Sequence, residues 1–237
     1  MEYQNPGDTA RKNDLIRHLS GFITARRFKK MLAVLQMRTR HLTVVLEDIY
    51  QSHNASAVLR SCECFGIQDI HIIQNRYEFE VNPDVVMGAA KWLSLYKYQE
   101  HENNTTKCLQ SLKDQGYRII ATSPHKKEYT PDNIPLEGKT ALVFGTEMEG
   151  LTDTARNMAD GCMKIPMVGF TESFNISVSV ALAIYQLTNR LRAENIRWQL
   201  PPDEETELLY EWVCKSVKNP ESLIRHYEDF SDRTFSQ

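Results

Sequence analysis

Short apolar, β-branched runs alternate with amphipathic segments over most of the chain. The apolar runs predict strands at 42–49, 67–74, 94–99, 117–123, 139–146 and 162–166. The segments between them predict helices near 24–37, 55–65, 83–90, 105–115, 152–158 and 176–197. Strands that alternate with helices indicate an α/β fold, with a mainly parallel sheet and helices on both faces.

The two ends of the chain lack this alternation. We expect residues 1–20 to be ordered only in part, and after Pro201 only helical periodicity remains. The pattern therefore predicts three parts: a basic N-terminal helical extension (1–40), an α/β domain (41–199) and a C-terminal helical extension (200–237).

Polar and glycine residues suggest where one central helix begins and ends. Asn54 precedes the apolar periodicity of ASAVLRSCECF and is expected to be its N-cap, whereas Gly66 is expected to end it. The N-terminal helix near 24–37 places Arg27, Lys30 and Arg38 on one stripe, away from its apolar residues.

Composition narrows the class of protein. The chain has 237 residues, of which 41% are hydrophobic and 25% charged, as in ordinary globular proteins. No apolar run is long enough to span a membrane, and the N-terminus lacks the apolar region of a secretory signal. The five cysteines are scattered and include no CxxC pair, so we expect reduced thiols, a cytoplasmic protein and no metal site.

Charge is unevenly distributed, although the net charge is only −3. Residues 11–40 hold nine Lys or Arg and one acid, and residues 201–237 hold nine acids and four bases. A basic arm on a mildly acidic protein is typical of contact with phosphates. It fits a solvated helix face equally well.

Three polar segments follow predicted strands and carry the candidate chemistry. They are HNASAVLR (53–60), LVFGTEMEGLT (142–152) and IPMVGFTESFNISVSVALAIYQL (165–187). Parallel α/β sheets bind ligands at the carboxyl ends of their strands, which selects loops 51–54, 145–150 and 166–175. Taken alone, each segment also fits ordinary structure: a surface Arg60, a plain strand-to-helix turn, and capping with core packing.

Together, the three segments resemble in order and spacing the motifs of the SpoU-type (TrmH-like) RNA ribose 2′-O-methyltransferases of the SPOUT superfamily. The resemblance covers about residues 24–198, and GAAKWL (88–93) is similar to the family's segment between the first two motifs. The basic N-terminal helix and the C-terminal extension look like the TrmH subgroup, which methylates the ribose of the D-loop guanosine at tRNA position 18.

The resemblance implies a C-terminal trefoil knot, S-adenosyl-L-methionine as methyl donor, a homodimer with the site completed across the interface, and RNA, here tRNA, as partner. Catalytic roles are implied for Asn54, Arg60, Glu147, Ser173 and Asn175. The cofactor pocket is implied at Thr122, Gly145, Ile165 and Phe174, where many relatives carry Leu at the position of Phe174. Contact with RNA is implied for Arg27, Lys30, Arg38, His53 and Arg190; the register of Arg190 and Arg192 against the family's basic pair is shifted by one.

The family account makes the arginine the activator of the ribose hydroxyl, but arginine resists deprotonation. We therefore expect Arg60 to hold the target phosphate and stabilise the developing alkoxide, while phosphate or water takes the proton. Two alternatives stay open. One is the same chemistry on ribosomal RNA or a tRNA wobble nucleotide, and the other is a catalytically silent RNA-binding protein.

Overall fold

The computed structural model describes residues 6–100, 102–123, 128–146 and 148–234. The chain divides into two compact units, residues 39–198 and residues 1–38 with 199–237. Within the described ranges the elements are, in chain order, α1 (Pro6–Ser20), α2 (Ala25–Leu35), β1 (Leu42–Glu47), α3 (Ser52–Phe65), β2 (Asp69–Ile73), α4 (Pro83–Val86), a 3-10 turn (Ala89–Trp92), β3 (Ser94–Tyr98), α5 (Asn104–Asp114), β4 (Arg118–Thr122), β5 (Thr140–Phe144), α6 (Asp153–Met158), β6 (Gly161–Met163), α7 (Ile176–Ala193), α8 (Pro202–Cys214) and α9 (Pro220–Thr234).

The unit 39–198 is built on one parallel sheet. Among the described residues it has six strands in the order β3-β2-β1-β5-β4-β6, and every neighbouring pair is parallel. The predicted α/β architecture is therefore confirmed. Val44 and Leu46 of β1 pack into one apolar core with α3 and α7, whereas Val45 packs into a second core with α5 and α6. Both faces are covered, which explains why the strands are continuously apolar instead of alternating.

The ends of helix α3 confirm one prediction and correct another. Gly66 follows its last residue at φ 83°, the left-handed conformation that glycine adopts most readily, and so ends the helix as predicted. The prediction that Asn54 is the N-cap is wrong. The helix begins at Ser52 with Gln51 as the N-cap, and Asn54 lies in its first turn, where its side chain is buried.

The unit formed by residues 1–38 and 199–237 is helical. Helix α1 packs against α8 and α9, and α2 packs against α8. Residues 1–40 were predicted to be a helical extension, but α1 was not predicted as a separate helix within it. Its apolar residues are buried in this unit with those of α2 and α8, namely Leu15, Ile16, Leu19, Met31, Leu35, Leu208, Trp212 and Val213.

The placement of Arg38 on the exposed basic stripe of α2 is wrong. Helix α2 ends at Leu35, so the helical period does not extend to residue 38. Arg38 is only 1% exposed, and its guanidinium carbon lies 5.2 Å from the ring centroid of Trp212. Arg27 and Lys30 are exposed, as predicted.

All five cysteines lie in the described part of the chain, and none forms a disulfide. In the same part of the chain, no helix is long and apolar enough to cross a membrane.

Candidate active site

A cavity of about 580 Å³ opens where strands β4, β5 and β6 end. Its volume is in the range of small-molecule and cofactor sites. The four residues predicted to bind the cofactor all line it, together with Ser173 of the third motif: Thr122, Gly145, Ile165 and Phe174. The structure thus brings three strand ends and the segment before α7 to one wall, at the edge where parallel sheets hold ligands.

A tight turn in the second motif forms part of this wall. Thr146 and Gly150 exchange two backbone hydrogen bonds of 3.1 and 3.0 Å, which close the turn. A Cβ atom on Gly145 would lie 2.2 Å from the carbonyl oxygen of Gly150, so only glycine fits there. Glu147, predicted to be the catalytic acid of this motif, lies outside the described residues.

A buried carboxylate anchors the end of this segment. Thr152 caps α6 through its side-chain oxygen, and both its backbone NH and its hydroxyl donate to Glu47, at 2.9 and 2.8 Å. Thr105 in α5 donates a third hydrogen bond to Glu47 at 2.6 Å. Glu47 is 1% exposed. The apolar pattern predicted only that Glu47 belongs to a strand, and its anchoring role was missed. An acid directly after a continuous apolar run is the one feature of the sequence that could have indicated this role.

The first and third motifs meet through two asparagines. Asn175 caps α7 by accepting a hydrogen bond from the backbone NH of Ser177 at 2.9 Å. Its side-chain amide donates to the side-chain oxygen of Asn54 at 3.2 Å. The amide of Asn54 in turn donates to Gln51 at 2.6 Å. Two of the predicted catalytic residues are therefore in direct contact, although 121 positions separate them.

Arg60 and His53 are placed differently. Both are exposed on α3, and neither is among the described residues that line the cavity. The structure of one chain therefore does not bring the predicted catalytic arginine to the predicted cofactor pocket.

Arg190 makes contacts within its own unit. One terminal nitrogen of its guanidinium donates to the carbonyl oxygens of Pro131 and Ile134, at 3.0 and 2.9 Å, and the other pairs with Glu194 at 3.1 Å. The neighbouring Arg192 donates to the carbonyl oxygen of Phe65 at 2.7 Å. These bonds support the local fold, and contact of Arg190 with RNA remains a prediction.

The clearest pKa shifts in the α/β unit belong to groups that do not line the cavity. Burial lowers the pKa of His71 on β2 to about 4. Burial also raises the pKa of Cys108 on α5, which keeps this thiol protonated.

Comparison with known proteins defines the class to which this arrangement belongs. The chain matches the model of the SpoU rRNA methylase family over residues 41–185. The protein therefore belongs to this family, and the resemblance drawn from the three motifs is confirmed.

Individual relatives agree with this assignment. A tRNA (guanosine(18)-2′-O)-methyltransferase of Borreliella burgdorferi is 42% identical, over 85% of this chain and 90% of its own. An enzyme of the same name from Thermus thermophilus is 30% identical, over 81% of this chain and 98% of its own. The solved A. aeolicus TrmH/SpoU tRNA modifying enzyme superimposes with a TM-score of 0.72 at 25% identity, over 82% of this chain and 98% of its own.

Proposed function

We propose that the protein transfers a methyl group from S-adenosyl-L-methionine to the ribose 2′-hydroxyl of the D-loop guanosine at tRNA position 18. The observation that carries the proposal is the cavity at three strand ends, bordered by Ser173 of the third motif. The relatives named for this reaction match most of the chain.

The cavity suits the proposed methyl donor. Apolar groups such as Phe144, Ile165 and Ile176 line it beside the polar groups of Thr122 and Ser173, a mixture typical of nucleoside-sized ligands. We propose that Thr122, Gly145, Ile165 and Phe174 hold the cofactor. Bound there, it supplies a methyl group already activated by the sulfonium charge.

The chain's own residues would then align the ribose and handle its proton. The Asn54–Asn175 pair joins the first and third motifs, and we propose that Ser173 and Glu147 orient the target nucleotide. Arg60 would bind the target phosphate and stabilise the developing alkoxide, and the proton would pass to phosphate or water. If Arg60→Lys recovered most of the activity lost in Arg60→Ala, the two-pronged geometry of arginine would be unnecessary and this role would be wrong.

A homodimer would bring Arg60 of a second copy to the cavity. Helix α7 carries an exposed apolar stripe, with Val178, Leu182 and Tyr185 exposed by 43%, 41% and 52%. Such a stripe is typical of a helix that packs against a partner. We expect sedimentation to give a dimer for the wild type and for Thr106→Asp, which adds the same charge at an exposed position of α5, and a monomer without methylation activity for Leu182→Asp. A dimeric Leu182→Asp would contradict the interface.

The path of the chain supports the proposed trefoil knot. After β6, which lies at the sheet edge beside β4, the chain returns to pack α7 along α3 and to join Asn175 to Asn54. We also propose that Arg27 and Lys30, with His53, contact tRNA, and that the enzyme works in the cytoplasm, where tRNA is found.

The test is to incubate the purified protein with unmodified tRNA transcripts and methyl-labelled S-adenosylmethionine, and then map the label. We expect the label on the ribose of guanosine 18, and none with Arg60→Ala. Transcripts with position 18 changed serve as controls. Label on ribosomal RNA or a wobble ribose instead would refute the tRNA D-loop site, and failure to bind S-adenosylmethionine in calorimetry would refute an enzyme of this class.

A further inference from the structure

Two exposed tyrosines lie side by side at the carboxyl end of the sheet, outside the cavity. Tyr50 and Tyr77 are exposed by 46% and 43%, and their ring centroids are 5.3 Å apart with the planes inclined by 48°. A tyrosine ring combines an apolar face with a polar tip, and for this reason tyrosine is enriched where proteins contact ligands and partners. A pair of exposed tyrosine rings is therefore suited to contact with a ligand.

The backbone beneath the rings is firmly held. Asp48, which is 1% exposed, follows β1 at φ 56° and accepts hydrogen bonds from the backbone NH groups of Asn75 and Arg76, at 2.7 and 2.9 Å. The connection after β1, which carries Tyr50, is thereby tied to the connection after β2, which carries Tyr77. This junction holds together the two backbone segments that carry the rings.

A cation lies over the second ring. The guanidinium carbon of Arg76 lies 5.7 Å from the ring centroid of Tyr77. The same guanidinium pairs with Glu149 of the second motif at 2.6 Å and lies 3.7 Å from a carboxylate oxygen of Asp48. Because two carboxylates pair with the arginine, the cation is positioned beside Tyr77, which favours one ring orientation and lowers the conformational entropy that binding would cost.

A chain of side-chain hydrogen bonds links the first ring to the proposed catalytic residues. The amide nitrogen of Gln51 donates to the hydroxyl of Tyr50 at 3.2 Å, and its oxygen accepts from Asn54 at 2.6 Å. Asn54 is the residue bonded to Asn175. One side chain therefore separates Tyr50 from the pair that joins the first and third motifs.

We propose that Tyr50 and Tyr77 form a stacking site for one unpaired base of the RNA substrate, either the base of the methylated nucleotide or that of a neighbour. The inference rests on the proposed function. Proteins bind single-stranded RNA by stacking splayed-out bases on aromatic rings, often beside an arginine. Two exposed aromatic rings and an arginine are present here, next to residues of the first motif.

Alanine and phenylalanine variants test the site with tRNA transcripts and labelled cofactor. We expect Tyr50→Ala and Tyr77→Ala to raise the KM for tRNA about tenfold, since stacking on one aromatic ring commonly contributes this much. The KM for S-adenosylmethionine should not change. Tyr50→Phe and Tyr77→Phe keep the ring and should behave as wild type. Tyr96→Ala removes a ring of similar exposure, 42%, from strand β3 and should leave the KM for tRNA unaltered.

Abasic transcripts then identify the stacked base. With the base removed at the stacked position, wild type and Tyr50→Ala should bind RNA equally, because both lack the contact. If the two proteins differ by the same factor at the target nucleotide and at both neighbours, or if the alanine variants are monomeric in sedimentation, the proposal is overturned. Wild-type protein that methylates no RNA would refute the proposed function itself, and this outcome is distinct from unchanged kinetics in the tyrosine variants.

Discussion

The turn at Gly145 allows a substitution whose effect follows directly from the structure. In Gly145→Ala the new Cβ would lie 2.2 Å from the carbonyl oxygen of Gly150, 2.3 Å from its carbonyl carbon and 2.5 Å from the backbone nitrogen of Leu151. All three are backbone atoms, so no side chain can rotate away. The turn must open by about 1 Å to restore van der Waals separation.

Opening the turn breaks the two hydrogen bonds between Thr146 and Gly150. At about 1 kcal/mol each, their loss costs about 2 kcal/mol. The turn forms part of the cavity wall. A ligand that fits the closed wall must restore the turn when it binds to the variant, so we expect the same cost to appear in the free energy of binding. We expect the affinity for S-adenosylhomocysteine, measured by calorimetry, to fall about 30-fold.

Two other glycines serve as matched controls. Gly150→Ala meets no atom within 4 Å, but its φ of 70° is strained for alanine, so we expect about 1 kcal/mol of destabilisation. Gly138→Ala meets no atom and has no positive φ, and should change the free energy of unfolding by less than about 0.5 kcal/mol. If Gly145→Ala bound the ligand as tightly as Gly138→Ala, the close approach of the two backbones would not govern the pocket.

Three further predictions concern residues around the site. Protonation of His71 is favoured on unfolding, because its pKa is about 4 when folded and 6.5 when exposed. Wild type should therefore lose about 2 kcal/mol of stability between pH 7 and pH 5 relative to His71→Gln. Equal losses for the two proteins in urea unfolding would contradict the buried neutral ring. Glu47→Gln exchanges one acceptor oxygen for an NH₂ donor opposite the NH or hydroxyl of Thr152, so the free energy of unfolding should fall by about 2 kcal/mol. If Glu47→Asp kept full stability, the length of the side chain that carries the carboxylate would be unimportant. Arg190→Met should lower thermal stability, since its donors satisfy carbonyl oxygens of its own unit. A raised KM for tRNA in the same variant would support the predicted RNA contact, and an unchanged KM would contradict it.

The sheet and the cavity follow from the sequence because their signals are local. Apolar runs mark the strands, and polar or glycine residues directly after them mark the edge where ligands bind. Thr122, Gly145 and Ile165 lie at three such strand ends. The resemblance to known motifs identified them, and the strand ends explain why they meet.

What the sequence did not predict depends on contacts between distant segments. Asparagine is a common N-cap residue, yet Asn54 lies within α3, where its side chain accepts a hydrogen bond from Asn175. Arg38 would lie on the basic stripe only if α2 continued to residue 38. The helix ends at Leu35, and the guanidinium of Arg38 packs on Trp212. Helix α1 has a weak apolar pattern of its own, and its apolar side chains are buried in a unit it shares with α8 and α9.

The helical unit unites segments from opposite ends of the chain, and this has a consequence for biosynthesis. Leu15, Ile16 and Leu19 of α1 are buried in a unit whose other half includes Leu208 and Trp212 of α8. At roughly 5–20 residues per second, a ribosome needs on the order of 10 to 40 s to travel from one helix to the other. The α/β unit is synthesised after α1 and before α8. During that time the apolar face of α1 stays uncovered by α8. A chaperone that recognises exposed apolar helices would therefore meet this protein at its first helix.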